Sequence, residues 1–384
     1  MRIYFDNAAT TPVLPEVVDT MTKILGEVFG NPSSIHSEGR KARAVVEESR
    51  KTVAGLLGAS IGEIFFTSCG TESNNMILKR AVKDLGVRRI ITTRIEHHCV
   101  LHAAESLKRD EAIELVFLKT DSAGRLDLTE LEALLSGSDK TTLVSLMHAN
   151  NEIGVMTDLE AVGKICKNYG AYFHSDTVQT IGYFPFQLSE LPVDFISGSA
   201  HKFHGPKGVG FVYIKNEVSL KPYLDGGAQE RNMRSGTENI AGIAGLAKAM
   251  ELSYRHLEER KAHIQNLKNY FWKQISSNIE GVAINGSEAD AHYKILSVSF
   301  PRGPKSDLLL MNLDIAGISA SGGSACSSGV DIGSHVLSAL GGAEDRNTVR
   351  FSFSHLNTEA EVDFAVEKIA GILGVSQNLQ KSFS

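Results

Sequence analysis

The sequence lacks the features of several protein classes. Its four cysteines, Cys69, Cys99, Cys166 and Cys326, include no Cys-X-X-Cys pair, which excludes a disulfide framework and is typical of a reducing compartment. No apolar run approaches the length of a membrane span, and the N-terminal MRIYFDNAATTPV has no signal-peptide core. A net charge of −6 argues against nucleic acid, because phosphate binding favours a basic surface. We therefore expect a cytoplasmic globular protein whose partners are neither membranes nor nucleic acids.

Between residues 42 and 214, helical and strand patterns alternate. Helices are predicted at 42–57, 72–85 and 159–169, and short strands rich in β-branched residues at 89–93, 114–118, 142–147, 171–174, 194–197 and 209–214. Such alternation indicates an α/β fold with a mostly parallel sheet covered on both faces. Ligand chemistry then belongs at the carboxyl ends of the strands.

The remainder of the chain predicts a second, smaller α/β domain, as the length of 384 residues also suggests. A long helical region is predicted over 238–278. Further strands are predicted at 294–300, 317–320 and 349–354, with helices near 306–314 and 358–373.

One lysine stands out in SGSAHKFHGPKG, residues 197–208. Lys202 follows a buried apolar run and precedes a glycine–proline turn, and a surface lysine rarely has such neighbours. A lysine with the ordinary pKa near ~10.4 must be desolvated or lie near other cations to act as a nucleophile. Asp176 comes at the end of another strand, in HSDTVQT. A lysine that binds an aldehyde and an acid that keeps a ring nitrogen protonated indicate a pyridoxal phosphate site, although two ordinary strand-end charges are the alternative.

Two segments have the composition of phosphate sites. In TSCGTESNN, residues 67–75, Gly70 and Thr71 begin a predicted helix, where free N–H groups suit a phosphate; a plain N-cap is the alternative. In GGAQERNMRSGTENI, residues 226–240, two arginines and Thr237 precede another helix. That segment is either an exposed basic turn or a set of phosphate donors that acts across a subunit boundary.

A histidine cluster lies in the segment that begins at Glu96. His98 and His102 share a helix face, which is compatible with a metal site, but no third and fourth ligand is recognisable. We therefore predict no metal. A ring that stacks on a cofactor and transfers protons is the better use of one of these histidines, and simple packing is the alternative.

Two further residues are candidates for substrate chemistry. Arg350 alternates with apolar residues in TVRFSFS, so it needs an anionic partner, either a substrate carboxylate or an internal salt bridge. Cys326 lies in SGGSACSSG, residues 321–329, among serine and glycine rather than apolar neighbours. A thiol in such a loop is an oxidation liability unless it is used, which favours a working nucleophile over a bystander.

Taken together, these residues resemble the cysteine desulfurases, pyridoxal phosphate enzymes that provide sulfur for iron–sulfur cluster assembly. The resemblance extends nearly end to end, through FDNAATTP, GNPSSIH, TSCGTESNN, EHH, MHANNEIGV, HSDTVQT, SGSAHKFHGPKG, RSGTEN, SGGSACSS and VRFSFS in the family's order. It implies the aspartate aminotransferase-like fold, called fold type I, and a homodimer with sites at the subunit boundary. The large domain would span 12–250, and the small domain would comprise 1–11 and 251–384 with the cysteine loop at about 321–333.

The resemblance also implies residue roles. Lys202 would be the Schiff-base lysine, Asp176 the partner of the pyridine nitrogen, and Gln179 the partner of the phenolic oxygen, while His97 would stack on the ring and shuttle protons. The phosphate would be held by Gly70, Thr71, Ser199, His201 and, from the other subunit, Thr237. Asn151 would contact cofactor and substrate, with Arg350 and Asn7 near the substrate carboxylate.

The implied reaction removes sulfur from L-cysteine, giving L-alanine and a persulfide on Cys326 that passes to an iron–sulfur scaffold protein. One departure from the family pattern is 331–333, where Asp-Ile-Gly replaces a leucine–glutamate–proline stretch. It affects loop mobility and acceptor docking rather than the chemistry of the cysteine. The alternatives are another fold type I enzyme, an aminotransferase or a selenocysteine lyase, and, more distantly, a non-catalytic binding protein.

Overall fold

The computed structural model describes residues 2–322, 333–342 and 346–375. Its helices are α1 (Pro15–Glu27), α2 (Ser37–Leu57), α3 (Gly70–Asp84), α4 (His98–Asp110), α5 (Leu128–Ser136), α6 (Leu159–Asn168), α7 (Ile240–Arg255), α8 (Leu257–Asn278), α9 (Leu309–Ile315), α10 (His335–Ala339) and α11 (Glu359–Leu373). Its strands are β1 (Ile3–Tyr4), β2 (Ile64–Thr67), β3 (Arg89–Thr92), β4 (Glu114–Phe117), β5 (Thr142–Ser145), β6 (Tyr172–Asp176), β7 (Phe195–Ser199), β8 (Gly210–Ile214), β9 (Ala283–Ile284), β10 (Ile295–Pro301), β11 (Ile318–Ser319) and β12 (Arg346–Ser352).

The largest sheet has seven strands in the order β2-β8-β7-β6-β5-β3-β4. All neighbours are parallel except β8, which runs antiparallel to β2 and β7. Every residue of β2, β3 and β5 is buried, because helices cover both faces of the sheet. The predicted α/β class with a mostly parallel sheet is therefore confirmed.

Two smaller sheets join the ends of the chain. The strands β12, β10 and β9 form an antiparallel sheet, and β1 pairs in parallel with β11 through Ile3 and Ile318. Asp6 forms a further bridge with Ser352. The N-terminal residues are thereby fixed against the C-terminal third of the chain, next to the carboxyl edge of the large sheet.

The predicted helical region over 238–278 is confirmed, but it consists of two helices. These helices, α7 and α8, meet at His256, whose backbone leaves the helical region at φ −114° and ψ 23°. Neither glycine nor proline lies at this junction, so the sequence carries no local breaker signal there. The predicted strand at 171–174 extends to Asp176, and the helices α1, α5 and α10 were not predicted. No helix in the described parts of the chain is both long and apolar enough to cross a membrane.

Candidate active site

A cavity of about 250 Å³ lies at the carboxyl edge of the large sheet, where β6 and β7 end. Nine of the predicted site residues line it: Gly70, Thr71, His97, Asn151, Asp176, Gln179, Ser199, His201 and Lys202. This edge is where a parallel α/β sheet binds its ligands. Residues from five separate segments of the sequence therefore meet at one place.

Asp176 is the last residue of β6, and it is buried at the cavity wall. Its Oδ2 accepts a hydrogen bond of 2.7 Å from Nδ2 of Asn74, and its Oδ1 accepts one of 3.0 Å from the backbone N–H of Val178. Because each carboxylate oxygen has a donor of fixed position, the orientation of the carboxylate is set before any ligand binds.

A buried relay fixes Asn74 in turn. Its Oδ1 lies 3.1 Å from Nε2 of His174, whose Nδ1 lies 2.8 Å from Oγ of Ser145. Burial lowers the pKa of His174 to about 3, so the imidazole is neutral and its Nε2–H donates to Asn74. The amide group of Asn74 must then face Asp176. The sequence analysis missed this relay, although His174 and Asp176 lie two residues apart on one strand and therefore share a face.

The amine of Lys202 is held by the N-terminal segment. Its Nζ donates to the carbonyl oxygens of Ala8 at 2.6 Å and Ala9 at 2.8 Å. Nε2 of Gln179 donates to the same Ala8 oxygen at 3.0 Å, so the lysine and the glutamine share an acceptor. The backbone carbonyl of Lys202 accepts a bond of 3.0 Å from the hydroxyl of Tyr183. Main chain and side chain of the lysine are thus both fixed.

The donors around the cavity fit a phosphate. The N-cap residue of α3, Cys69, makes no side-chain hydrogen bond to the first turn, so the N–H groups there are not capped as a plain N-cap would be. A Cβ on Gly70 would lie 2.6 Å from Cγ2 of Val178 and 3.7 Å from Cβ of Ser199, so only glycine leaves this cradle open. Burial lowers the pKa of His201 to about 4, which makes its ring a neutral hydrogen-bonding group.

A second observation fits the ring of pyridoxal phosphate. Oε1 of Gln179 is buried and has no hydrogen-bond partner within residues 2–322, 333–342 and 346–375. Buried polar atoms are nearly always satisfied, so this atom indicates a polar ligand in the cavity. Together with Asp176 and the donors at α3, it gives the cavity one polar group for each polar end of that cofactor.

His97 is the N-cap residue of α4. Its Nδ1 accepts the backbone N–H of Cys99 at 3.2 Å and lies 3.0 Å from Sγ of the same cysteine. Burial and the charge of Lys202 lower the pKa of His97, while Asp176 raises it. The ring is therefore neutral at pH 7, with Nδ1 occupied and the proton on Nε2.

The predicted histidine pair, His98 and His102, has a third histidine ring beside it. The rings of His98 and His102 lie 5.1 Å apart, and the ring of His335 lies 4.2 Å from His98. In the described parts of the chain no group of three or more histidine, cysteine, aspartate or glutamate side chains could hold a metal ion. These rings pack against one another beside the segment that contains His97.

Arg350 forms an internal salt bridge. It is 1 % exposed, its Nη2 lies 2.7 Å from Oδ1 of Asp6, and its Nη1 donates to the carbonyl of Asn151 at 2.8 Å. Its buried Nε has no hydrogen-bond partner among the residues that the structure describes. Asn7 is buried beside it, and Nδ2 of Asn7 donates to the carbonyl of Ser352 at 2.8 Å. Arg350 and Asn7 therefore lie behind the cavity wall rather than in its lining.

Thr237 is exposed and does not line the cavity. Cys326 lies outside the described residues. The chain on either side of it attaches close to the cavity: Ser321 exchanges two backbone hydrogen bonds with Arg350, and Nε2 of His335 lies 2.9 Å from the carbonyl of Glu96.

Comparison with known proteins identifies the family. The aminotransferase class-V family model matches residues 3–364, so the chain belongs to that family. Cysteine desulfurase IscS of Dictyoglomus turgidum is 40 % identical over 376 residues, which cover 97 % of this chain and 94 % of that protein. Putative cysteine desulfurase IscS 1 of Bacillus subtilis is 42 % identical over 378 residues, 97 % of this chain and 98 % of that protein.

A solved structure described as a NifS-like protein gives the same result. It superposes with a TM-score of 0.90 at 41 % identity and covers 97 % of this chain and all of that one. Within the aminotransferase class-V family, the chain is thus a member of the cysteine desulfurase group. The predicted family and fold are confirmed. The cofactor of this family is pyridoxal phosphate, as predicted from Lys202 and Asp176.

Proposed function

We propose that this chain takes sulfur from L-cysteine, releases L-alanine, and carries the sulfur as a persulfide on Cys326 to a scaffold protein for iron–sulfur cluster assembly. The observation that carries the proposal is the meeting of Lys202, Asp176 and Gln179 in one cavity of about 250 Å³. The relatives named cysteine desulfurase, which match the chain almost end to end, support the same reaction.

The residues around the cavity have complementary tasks in this proposal. Gly70, Thr71, Ser199 and His201 would hold the cofactor phosphate, because their donors surround the start of α3. Asp176 would keep a proton on the ring nitrogen, and Gln179 would bond the phenolic oxygen.

Bound here, pyridoxal phosphate supplies an aldehyde that reacts with amines and a ring that accepts the electron pair from the substrate α-carbon. Lys202 would hold that aldehyde and would serve as the base for the substrate α-proton. Its amine donates to the backbone carbonyls of Ala8 and Ala9, which hold it at the cavity. His97, neutral and with a proton on Nε2, would stack on the ring and would shuttle a proton.

Cys326 carries out the sulfur transfer. Its thiolate attacks the sulfur of the substrate, so that an S–S bond forms while the C–S bond of cysteine breaks. The electron pair of the broken bond stays with the three-carbon unit, which takes up a proton and leaves as L-alanine. Asn151, which lines the cavity, would bind near the substrate carboxylate, and Arg350, with Asn7 beside it, would act from behind the cavity wall.

The first experiment tests the sulfur acceptor. Cys326→Ala should keep the yellow colour of the cofactor and lose the release of sulfide from L-cysteine under a mild reductant. Cys166→Ala is the matched control, because Cys166 is buried in α6 away from the cavity and should leave the rate unchanged. A Cys326→Ala variant that desulfurates cysteine as fast as the parent would show that the nucleophile is wrong.

The second experiment tests the cofactor lysine. Borohydride reduction should attach the cofactor to Lys202, which peptide mass spectrometry detects. Lys207→Ala, an exposed lysine in the same loop, should be labelled like the parent, whereas Lys202→Ala should not. Turnover with a keto acid, or with selenocysteine alone, would favour an aminotransferase or a selenocysteine lyase instead.

The proposal includes a homodimer in which Thr237 of one subunit reaches the cofactor phosphate of the other. The large apolar side chains of Phe29 and Ile35 are 81 % and 91 % exposed, which is typical of a surface that another chain covers. Analytical ultracentrifugation should give a dimer for the parent and a monomer for Phe29→Lys combined with Ile35→Lys. A monomeric parent would contradict this part.

The proposed domain division follows the same chain path. Residues 12–250 would form the large domain, and residues 1–11 with 251–384 the small one, a division supported by the pairing of β1 with β11. We further propose a cytoplasmic location, because the cysteine usage is typical of a reducing compartment.

A further inference from the structure

Three consecutive residues adopt a left-handed backbone. Glu230, Arg231 and Asn232 have φ values of 42°, 55° and 63°, and none of them is glycine. Residues with a Cβ visit this region singly and at a cost, so a run of three persists only where the surroundings hold it. The run ends five residues before Thr237.

A buried ion pair holds this turn. Glu230 is 5 % exposed and Arg50, on α2, is 1 % exposed. Two parallel hydrogen bonds join them, from Nη1 to Oε2 at 2.7 Å and from Nη2 to Oε1 at 3.0 Å. The guanidinium also lies 4.8 Å from the ring centroid of Phe66. Such a bidentate, enclosed pair fixes both side chains in one geometry.

The same two side chains lie along the outer edge of β2, which is one of the two edge strands of the large sheet in the described part of the chain. Oε2 of Glu230 accepts the backbone N–H of Phe66 at 2.7 Å, and Nη1 of Arg50 donates to the carbonyl of Ile64 at 2.9 Å. They take the place of a neighbouring strand on that edge. The pair therefore ties the left-handed turn to the strand that leads to Gly70.

The turn is linked to the segment that follows it. Oε1 of Gln229 accepts the backbone N–H of Gly236 at 3.1 Å, and Oγ of Ser235 donates to the carbonyl of Gly227 at 2.7 Å. These bonds close the chain from 227 to 236 into one unit. Because Thr237 comes directly after this unit, its position depends on how the turn is held.

We propose that Arg50 and Glu230 are positioning residues: their ion pair locks the left-handed turn at 230–232 against β2 and thereby presents Thr237 to the cofactor phosphate of the partner subunit. This inference rests on the proposed homodimer and on the proposed contact of Thr237. It assigns a function to a strained turn that takes no part in the cavity of its own subunit.

The experiment measures the dissociation constant of pyridoxal phosphate from the dimeric apoprotein by fluorescence, without turnover. Glu230→Gln and Thr237→Val should each weaken binding by about tenfold, and the double variant should be no weaker than the worse single variant, because one acts through the other. Glu230→Gln with Asn232→Gly should recover part of the loss, since glycine adopts a positive φ freely. Asp121→Asn, which removes an exposed ion pair with Arg125, should bind like the parent.

The outcomes separate the two levels of the proposal. Thr237→Val with parental affinity overturns the proposed contact of Thr237. If Thr237→Val weakens binding but Glu230→Gln does not, or if the losses multiply to about a hundredfold, only the positioning role is overturned. If Glu230→Gln fails to fold, Arg50→Met with Glu230→Met removes both charges while keeping the volume filled. That variant should fold and still bind about tenfold more weakly, and parental affinity would overturn the role.

Discussion

The two ends of the candidate site differ in how their charged groups are engaged. At the cofactor end, Asp176 is oriented by Asn74 and Val178, and Oε1 of Gln179 in the cavity wall has no hydrogen-bond partner among the described residues. At the other end, the guanidinium of Arg350 is already paired with Asp6 and with a backbone carbonyl. The polar groups of the cofactor end are oriented and line the cavity, whereas the guanidinium of Arg350 is oriented but already paired.

The two ends therefore differ in how much rearrangement they need before they bind a ligand. A group whose partners leave a face open toward the cavity binds without rearrangement, so its contribution is electrostatic preorganisation. A buried guanidinium that already holds a carboxylate must exchange or share that partner before it binds another anion. We therefore expect variants of the cofactor end to change kcat and variants of the Arg350 end to change KM.

The largest effect is expected for Asp176→Asn. An amide of the same shape retains the bulk but cannot stabilise a proton on the ring nitrogen, so kcat should fall by about a hundredfold or more. Alanine formed from L-cysteine measures this directly. Asp110→Asn, an exposed aspartate at the end of α4, should keep the parental rate. If Asp176→Asn kept the parental kcat, the expectation that the cofactor end controls kcat would be wrong.

The next effect concerns the relay behind that carboxylate. Asn74→Ala leaves Asp176 and His174 without their shared partner, so kcat should fall by about tenfold. The double variant with Asp176→Asn should be no slower than Asp176→Asn alone, because Asn74 acts through that carboxylate. Losses that multiply would mean that Asn74 acts independently.

At the Arg350 end, Asp6→Asn removes the competing charge. If Arg350 binds the substrate carboxylate, the KM for L-cysteine should fall by about threefold with kcat little changed, since the guanidinium becomes available. Asp314→Asn, which removes an exposed aspartate paired with Arg2, is the matched control and should leave KM unchanged. An unaltered KM in Asp6→Asn, together with a lower melting temperature, would make the pair purely structural.

The sequence predicted for a physical reason that Asp176 and Lys202 lie at one cavity. Asp176 ends one buried strand and Lys202 follows another, and the carboxyl ends of parallel strands meet at one edge, so their proximity was a consequence of the strand pattern. The Asn74–His174 relay was not predicted, because a buried polar chain depends on which helix packs over which strand. That packing is absent from local periodicity.

For Arg350 the sequence predicted only that its partner is either a substrate carboxylate or an internal carboxylate. Its alternation with apolar residues indicated a buried cation that needs an anion, but Asp6 lies 344 positions away in the sequence. Likewise, the left-handed turn at Glu230 contains no glycine at its strained positions, so composition gave no sign of it. Long-range partners and strain held by tertiary contacts are what local patterns omit.

Glu96, which directly precedes His97 in the chain, is expected to affect the pH dependence of stability. Its Oε1 accepts bonds from Thr93 and Met147, its backbone carbonyl meets His335, and burial raises the pKa of its carboxyl to about 8. Between about pH 4.5, the usual value, and pH 8, the folded protein keeps a proton that the unfolded chain has lost. Stability from this group is therefore complete at low pH and is lost as pH rises toward 8.

Glu96→Gln should remove this dependence. Relative to the variant, the free energy of unfolding of the parent apoprotein should decline between pH 5 and pH 8 by at most about 1.4 kcal/mol for each pH unit. Denaturant unfolding of both proteins at several pH values measures the difference, in which all other titrating groups cancel. A difference that stays constant across this range would mean that Glu96 is ionised in the folded protein. Glu96 would then be a buried negative charge next to His97 in the chain, which would raise the pKa of that imidazole and favour its charged form over the neutral one.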